Sequence, residues 1–189
     1  NFFWNEIHFL IYADYDAFLF QAIEVIENEE HYINTCDAPL FYLLKMIYSI
    51  MQKDSDKVKK TVDVIEEYFI DLFGIEELFI YYVYLGNHYA NGTKWKRALQ
   101  YYEEASNKCV GVRTDLKGML YYGLGYVYWQ LGNPISSLFY NKKAKELFDV
   151  SNNYVRSLYT SCHIGRNLMH LYRYEDVEKL NKNLLKSAQ

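Results

Sequence analysis

Proline and glycine are scarce, at 2 and 9 of 189 residues. A β-sandwich or barrel needs many turns, so this scarcity argues against both and predicts long helices. Cysteine is limited to Cys36, Cys109 and Cys162, an odd number spread far apart. That excludes a disulfide framework and a CxxC metal site, and it suits free thiols in a reducing compartment, so a cytoplasmic location is expected. Positive charge is not in excess: 20 Lys and Arg stand against 24 Asp and Glu, a net charge of −4. With a pI near 5.7, the chain lacks the electrostatic footprint of a nucleic-acid binder. No run approaches the ~18 consecutive apolar residues of a membrane span; the richest, residues 78–85, is soon followed by Asn87 and His88. The opening Asn-Phe-Phe-Trp-Asn-Glu has neither a basic n-region nor a Met. It reads as a fragment that starts inside a helical pattern, with an N-terminal domain missing, and not as a secretory signal. The sequon Asn91-Gly92-Thr93 has meaning only in a secreted protein, which nothing else suggests. What is plentiful is hydrophobic (51%) and aromatic (19%) residues, including 21 Tyr. That is the composition of one folded domain or array over residues 1–189, not of a disordered chain.

An internal repeat organises the chain. Leu85-Gly86 with Tyr89 and Leu124-Gly125 with Tyr128 stand 39 positions apart, and Ile164-Gly165 follows 40 later. Leu44 with Tyr48, and Ile7 with Ile11, extend the period towards the start. Each register reads as two helices. Leu78, Tyr81, Tyr82, Leu85 and Tyr89 follow helical spacing, and so do Trp95, Ala98, Leu99, Tyr102 and Ala105. Asn91-Gly92 ends the first helix and Thr93 is placed to cap the second. In the next unit Thr114 or Asp115 caps, Gly132 terminates, and Asn133-Pro134 restarts with Pro at the first helical position. Asp37 with Pro39, and Asp54-Ser55-Asp56, bracket the earlier pair. The spacing predicts ten helices, at about 1–12, 15–30, 38–53, 55–72, 75–91, 94–109, 114–131, 134–150, 153–170 and 174–187. Glycine in Leu-Gly-x-x-Tyr lets the partner helix approach closely, and Ala98 and Ser137 are the small residues that receive the large ones. One pair cannot bury its apolar face alone, so neighbours must stack.

These residues resemble the tetratricopeptide repeat. The family's pattern falls on Tyr82, Leu85-Gly86, Tyr89, Ala98, Tyr102 and Ala105, and again on Tyr121, Leu124-Gly125, Tyr128, Gly132 and Ala144. The second copy departs at Ser137 and at Asn141, where an aromatic is expected. The strong resemblance covers about residues 78–150. It implies an all-α fold, a right-handed α-solenoid of about five helix pairs; HEAT-type repeats, whose periods are also near 40, are the alternative. The long, Tyr- and Asn-rich repeats further resemble the C-terminal domains of peptide-pheromone-sensing transcription regulators of the Rgg and PlcR type. That resemblance implies a regulatory domain that binds a short oligopeptide, forms a homodimer and reaches DNA only through a helix-turn-helix domain absent from this chain.

In such a stack the first helices of the pairs line the concave face. Their residues off the packing stripe are Tyr42, Met46 and Ser49; Val83, Tyr84, Asn87, Ala90 and Asn91; Met119, Tyr122, Tyr126, Trp129 and Gln130; and Tyr159, Cys162, His163, Arg166, Met169 and His170. The resemblance puts Asn87 where the family's Asn bonds a peptide backbone, a task suited to an amide that both donates and accepts. Tyr122, Tyr126 and Trp129 offer rigid apolar area, and Arg166 offers bidentate pairing with a carboxylate. Packing between repeats is the competing role for each Tyr, and simple solvation for Asn87. Cys162, His163 and His170 lack the i, i+4 spacing of a helical zinc site, so no metal or cofactor is expected. The lysine runs at 57–60 and 142–145 read as solvated faces. GxxxxGK[ST], HExxH and GxSxG are all absent, so no catalytic residue is assigned and no enzyme is expected. A partner-protein scaffold, and an antiactivator or phosphatase of the Rap type, are the alternative functions.

Overall fold

The computed structural model describes residues 38–187. The expected helices at 1–12 and 15–30 lie outside the described residues. Among the described residues there are eight α-helices and no strand: α1 (Ala38–Met51), α2 (Ser55–Val64), α3 (Ile75–Asn91), α4 (Trp95–Asn107), α5 (Thr114–Gln130), α6 (Pro134–Val150), α7 (Tyr154–His170) and α8 (Tyr174–Ser187). These match the eight expected segments to within a few residues. The exception is the segment 55–72, where α2 gives way to a π turn at Ile65–Phe69 and a 3-10 turn at Ile70–Leu72. There the Phe69 ring lies 5.1 Å from that of Tyr42. Where the repeat reading treats 1–189 as one domain, the backbone contacts divide the chain at Glu77/Leu78 into two compact units.

In the first unit α1 packs on α2. Leu43, Leu44, Met46, Ile47 and Ile50 are buried, together with Val58 and Ile65. In the second unit each helix from α4 onward packs on the next. Its core includes Phe79, Ile80, Tyr81, Leu85, Tyr102, Leu116, Leu120, Val127 and Phe148.

The turns share one construction. Lys53, Thr93, Gly132, Asn152 and Tyr172 each stand two residues beyond a helix and adopt φ between 57° and 72°. Each donates its N–H back three residues, and the residue after it donates back five: Thr93 to Ala90 and Lys94 to Tyr89, Gly132 to Trp129 and Asn133 to Tyr128. This is the Schellman closure of a helix end. The next helix then starts at once, and Asp54, Asn133 and Asn153 cap it by accepting a backbone N–H. Thr93 therefore does not cap α4 as expected. It holds the left-handed turn, a conformation that costs a β-branched residue about 1–2 kcal/mol, and Lys94 takes the cap position. Likewise neither Thr114 nor Asp115 caps α5; Arg113 precedes the helix and its guanidinium pairs with Asp115 at 2.7 Å.

Close approach at glycine is what joins the helices. A Cβ on Gly86 would strike the Tyr102 ring, and one on Gly123 would stand 2.5 Å from the Tyr102 hydroxyl oxygen. Tyr102 of α4 thus occupies a slot bounded by α3 and α5. The equivalent position one repeat later is Asn141, which lies against Gly125. Ser137 organises the polar core there. Its hydroxyl donates to the Gly125 carbonyl at 2.7 Å and accepts from Asn141 and Asn167 at 3.3 and 3.1 Å. Outside these slots, Tyr101 stacks between Tyr82 and Tyr89, and Tyr140 between Tyr121 and Tyr128, each residue 39 positions from its counterpart.

Gly86→Ala should therefore cost about 1–3 kcal/mol by overpacking Tyr102. Gly165→Ala meets only Leu180, at 3.7 Å, and should leave stability unchanged or raise it by up to about 1 kcal/mol through better helix propensity. Urea denaturation of the two variants checks the contrast.

Candidate functional site: the facing aromatic and basic residues of α5 and α7

α5 carries Tyr122, Tyr126 and Trp129 at i, i+4 and i+7, and α7 carries Tyr159, His163, Arg166 and His170 at i, i+4, i+7 and i+11. Each set therefore lies along one helical face. The repeat brings the two faces together in register, since Tyr122 meets His163 and Trp129 meets His170, both pairs 41 positions apart. The Tyr122 oxygen is 3.0 Å from His163 Nε2, with the rings edge to face at 5.2 Å. The Arg166 guanidinium reaches His163 Nδ1 at 2.8 Å and lies over the Trp129 ring, 4.3 Å from its centroid. The His170 ring meets Trp129 edge-on at 5.4 Å.

The electrostatics follow from these contacts. Burial, and then the Arg166 charge, push the His163 pKa below the ordinary histidine range. Burial raises that of Tyr122, against the opposing pull of the Arg156 and Arg166 charges. Arg156, half-buried near the start of α7, is a member of this face that the sequence reading omitted, although it stands seven residues before His163. Trp95 was likewise assigned to packing alone; its ring meets Tyr126 at 6.2 Å.

Tyr122, Trp129, His163, Arg166 and His170 are thus brought together, with Tyr126 beside them. Tyr159, at 62% exposure, adds to the electrostatic surroundings of Tyr122. No described contact joins Gln130 or Asn91 to them. Gln130 is exposed at the end of α5, Asn91 is exposed at the end of α3, and Tyr84 is half-buried on α3. Tyr42 packs on Phe69 in the first unit.

Met46 requires correction: it is fully buried, as are Ser49, Val83, Ala90 and Met119 to within a few per cent. These helices are covered on more than one side, so their apolar stripe is wider than a single seam, as all-round hydrophobic helices require.

Asn87 faces inward in part, with its side-chain oxygen accepting from the Tyr102 hydroxyl at 2.7 Å. Burial holds that phenol well above the usual range, so it stays a neutral donor.

Two surface depressions of about 370 and 390 Å³ lie away from this face, on α4 around Tyr101 and at the α7–α8 turn around Arg173. Among the described residues no three His, Cys, Asp or Glu side chains group to hold a metal ion, and no helix is long and apolar enough to cross a membrane. No protein-family model, curated protein or solved structure matches the chain.

Two outcomes follow. The folded chain binds fewer protons at His163, and at His88, whose pKa is lowered by burial and then by Lys94. The stability this contributes is full above the ordinary histidine pKa and is lost as pH falls through the lowered value. The Tm should drop as pH falls below the ordinary histidine value of about 6.5, and His163→Gln should flatten part of that drop in thermal scans. Asn87→Ala should leave the Tyr102 hydroxyl unpaired and cost about 1–3 kcal/mol in urea denaturation.

Proposed function

We propose that this chain is a regulatory domain that binds a short oligopeptide. The observation that carries the reading is the registered face of α5 and α7, where Tyr122, Tyr126 and Trp129 stand against His163, Arg166 and His170. Aromatic rings supply contact area with little entropy to lose, and the polar groups among them supply direction. The repeat pattern supports the same reading, because a solenoid of tetratricopeptide type presents its first helices as a continuous inner wall. α5 and α7 are first helices of successive pairs in that scheme. In this reading the domain belongs to a homodimeric cytoplasmic transcription regulator, and contact with DNA is made by a different domain.

A partner-protein scaffold is the second reading. It is favoured by Leu131, Ile135 and Phe139, which are exposed at i, i+4 and i+8 around the start of α6.

Calorimetric titration with pools of apolar peptides of about eight residues tests the choice. A binder should emerge, and Trp129→Ala should weaken it about 30-fold or more, as removal of an aromatic anchor does. If no peptide binds, and a pulldown recovers a protein that Ile135→Lys releases, the scaffold reading replaces this one.

A further inference from the structure

The turn after α3 departs from its counterpart one repeat later. Thr93 and Gly132 stand 39 positions apart in the sequence. Each holds the left-handed position that closes its helix, at φ 60° and 72°. Glycine meets that requirement freely and threonine does not. At the end of α3 the glycine sits one residue early. Gly92 has no positive φ, and a Cβ placed on it would find only the backbone oxygens of His88 and Tyr89, at 3.6 and 3.7 Å. The fold thus has no need of glycine at 92, while it strains the residue at 93.

This placement creates Asn91-Gly92, the single Asn-Gly pair in the chain. The glycine nitrogen follows the asparagine side-chain amide with no side chain of its own to screen it. Once that nitrogen has given its proton to solvent, it can attack Asn91 Cγ and close a cyclic imide. The new N–Cγ bond replaces the Cγ–Nδ2 bond, and Nδ2 leaves as ammonia with a proton taken from water. One water molecule then opens the ring at either carbonyl and leaves aspartate or isoaspartate. Water is the one co-reactant.

The closed helix end resists the first step. Gly92 donates its N–H to the His88 carbonyl at 3.1 Å, so the proton that must be lost is held inside the last turn of α3. The turn is fastened by the two bonds that follow, Thr93 to Ala90 at 3.0 Å and Lys94 to Tyr89 at 2.9 Å, with Thr93 at its left-handed φ. Residues 91–94 are all exposed, so burial adds nothing to the closure. A helix end of this kind opens locally, at far lower cost than the whole domain.

We infer that Asn91 is a self-modifying site: its side-chain amide is lost to attack by the Gly92 nitrogen when the end of α3 opens, and the strain at Thr93 sets how often it opens. The product changes the turn. Aspartate places a negative charge at the C-terminal end of α3, where the helix dipole disfavours it. Isoaspartate routes the main chain through the former side-chain carbon, which adds a methylene and shifts the register of the closing bonds. The site stands whichever ligand the face of α5 and α7 takes.

The full chain is aged at mildly alkaline pH, folded and in urea, and sampled for peptide mapping by tandem mass spectrometry that separates aspartate from isoaspartate. In the folded chain Asn91 should convert before any other asparagine, and more slowly than it does in urea. Thr93→Gly relieves the strained position and should slow conversion about fivefold in the folded chain, with the rate in urea unchanged. Hydrogen exchange at the Gly92 amide should slow by the same factor. Gly92→Ala fits the turn as it stands and should slow conversion in both conditions, because its methyl group screens the attacking nitrogen. A folded chain that keeps Asn91 intact while the chain in urea loses it, or another asparagine that converts first, overturns the site. Equal rates for the folded native chain and folded Thr93→Gly overturn the control by the strained turn, and an unchanged rate in Gly92→Ala overturns the Gly92 nitrogen as the attacking group.

Discussion

The second unit depends on one steric constraint: an aromatic ring on α4 needs backbone without side chains on both of its neighbours. Tyr102 is fully buried between Gly86 and Gly123, and its hydroxyl finds Asn87. The ring cannot be accommodated unless α3 and α5 both come close. Once they do, the spacing of α3 and α5 is fixed. That spacing is what lets Tyr122 of α5 look across at His163 of α7, because the following junction repeats the geometry with Asn141 against Gly125.

The two junctions solve the same problem with different chemistry. Around Tyr102 the slot is filled by a ring and closed by one hydrogen bond. Around Asn141 a smaller side chain leaves room, and Asn167 of α7 reaches in to share Ser137. Buried amides of this kind impose direction, since their groups must find partners. The Asn141 oxygen has no conventional partner and stands over the Gly125 Cα, where a weak C–H contact is the available donor. The Asn167 oxygen is likewise buried without a conventional partner among the described residues. The result is a polar seam that orients α7, the helix bearing His163 and Arg166.

Helix positions were legible from apolar spacing, joined at some starts by a second signal. Apolar spacing marks the bodies, and Asp54 and Asn133-Pro134 mark the starts of α2 and α6, whereas the cap at Asn153 was not read. Thr93 was misread because its hydroxyl suits a cap, whereas the turn closes through backbone bonds that are indifferent to the side chain. The π turn after α2 was not legible, since nothing in Ile-Glu-Glu-Tyr-Phe departs from helical spacing. At the site, i, i+4 and i+7 spacing correctly grouped the residues of each helix. Burial of Met46, Val83 and Met119 was missed because one helix's pattern does not reveal how many neighbours it has. Arg156 was legible in the same spacing, one step before Tyr159. Asn87 shows the converse difficulty, in that a residue placed for a ligand by analogy is already engaged by a tyrosine from the adjoining helix.

The paired tyrosine sandwiches, Tyr82–Tyr101–Tyr89 and Tyr121–Tyr140–Tyr128, carry a consequence for how such a chain changes over evolutionary time. Both are copies displaced by the same 39 positions, so unequal crossing-over that adds or removes one whole copy leaves every sandwich complete. A single-residue insertion within a helix instead swings all later side chains by about 100° around its axis and separates the rings at once. Whole copies can thus be gained or lost without breaking a sandwich, whereas a slip within a helix breaks one.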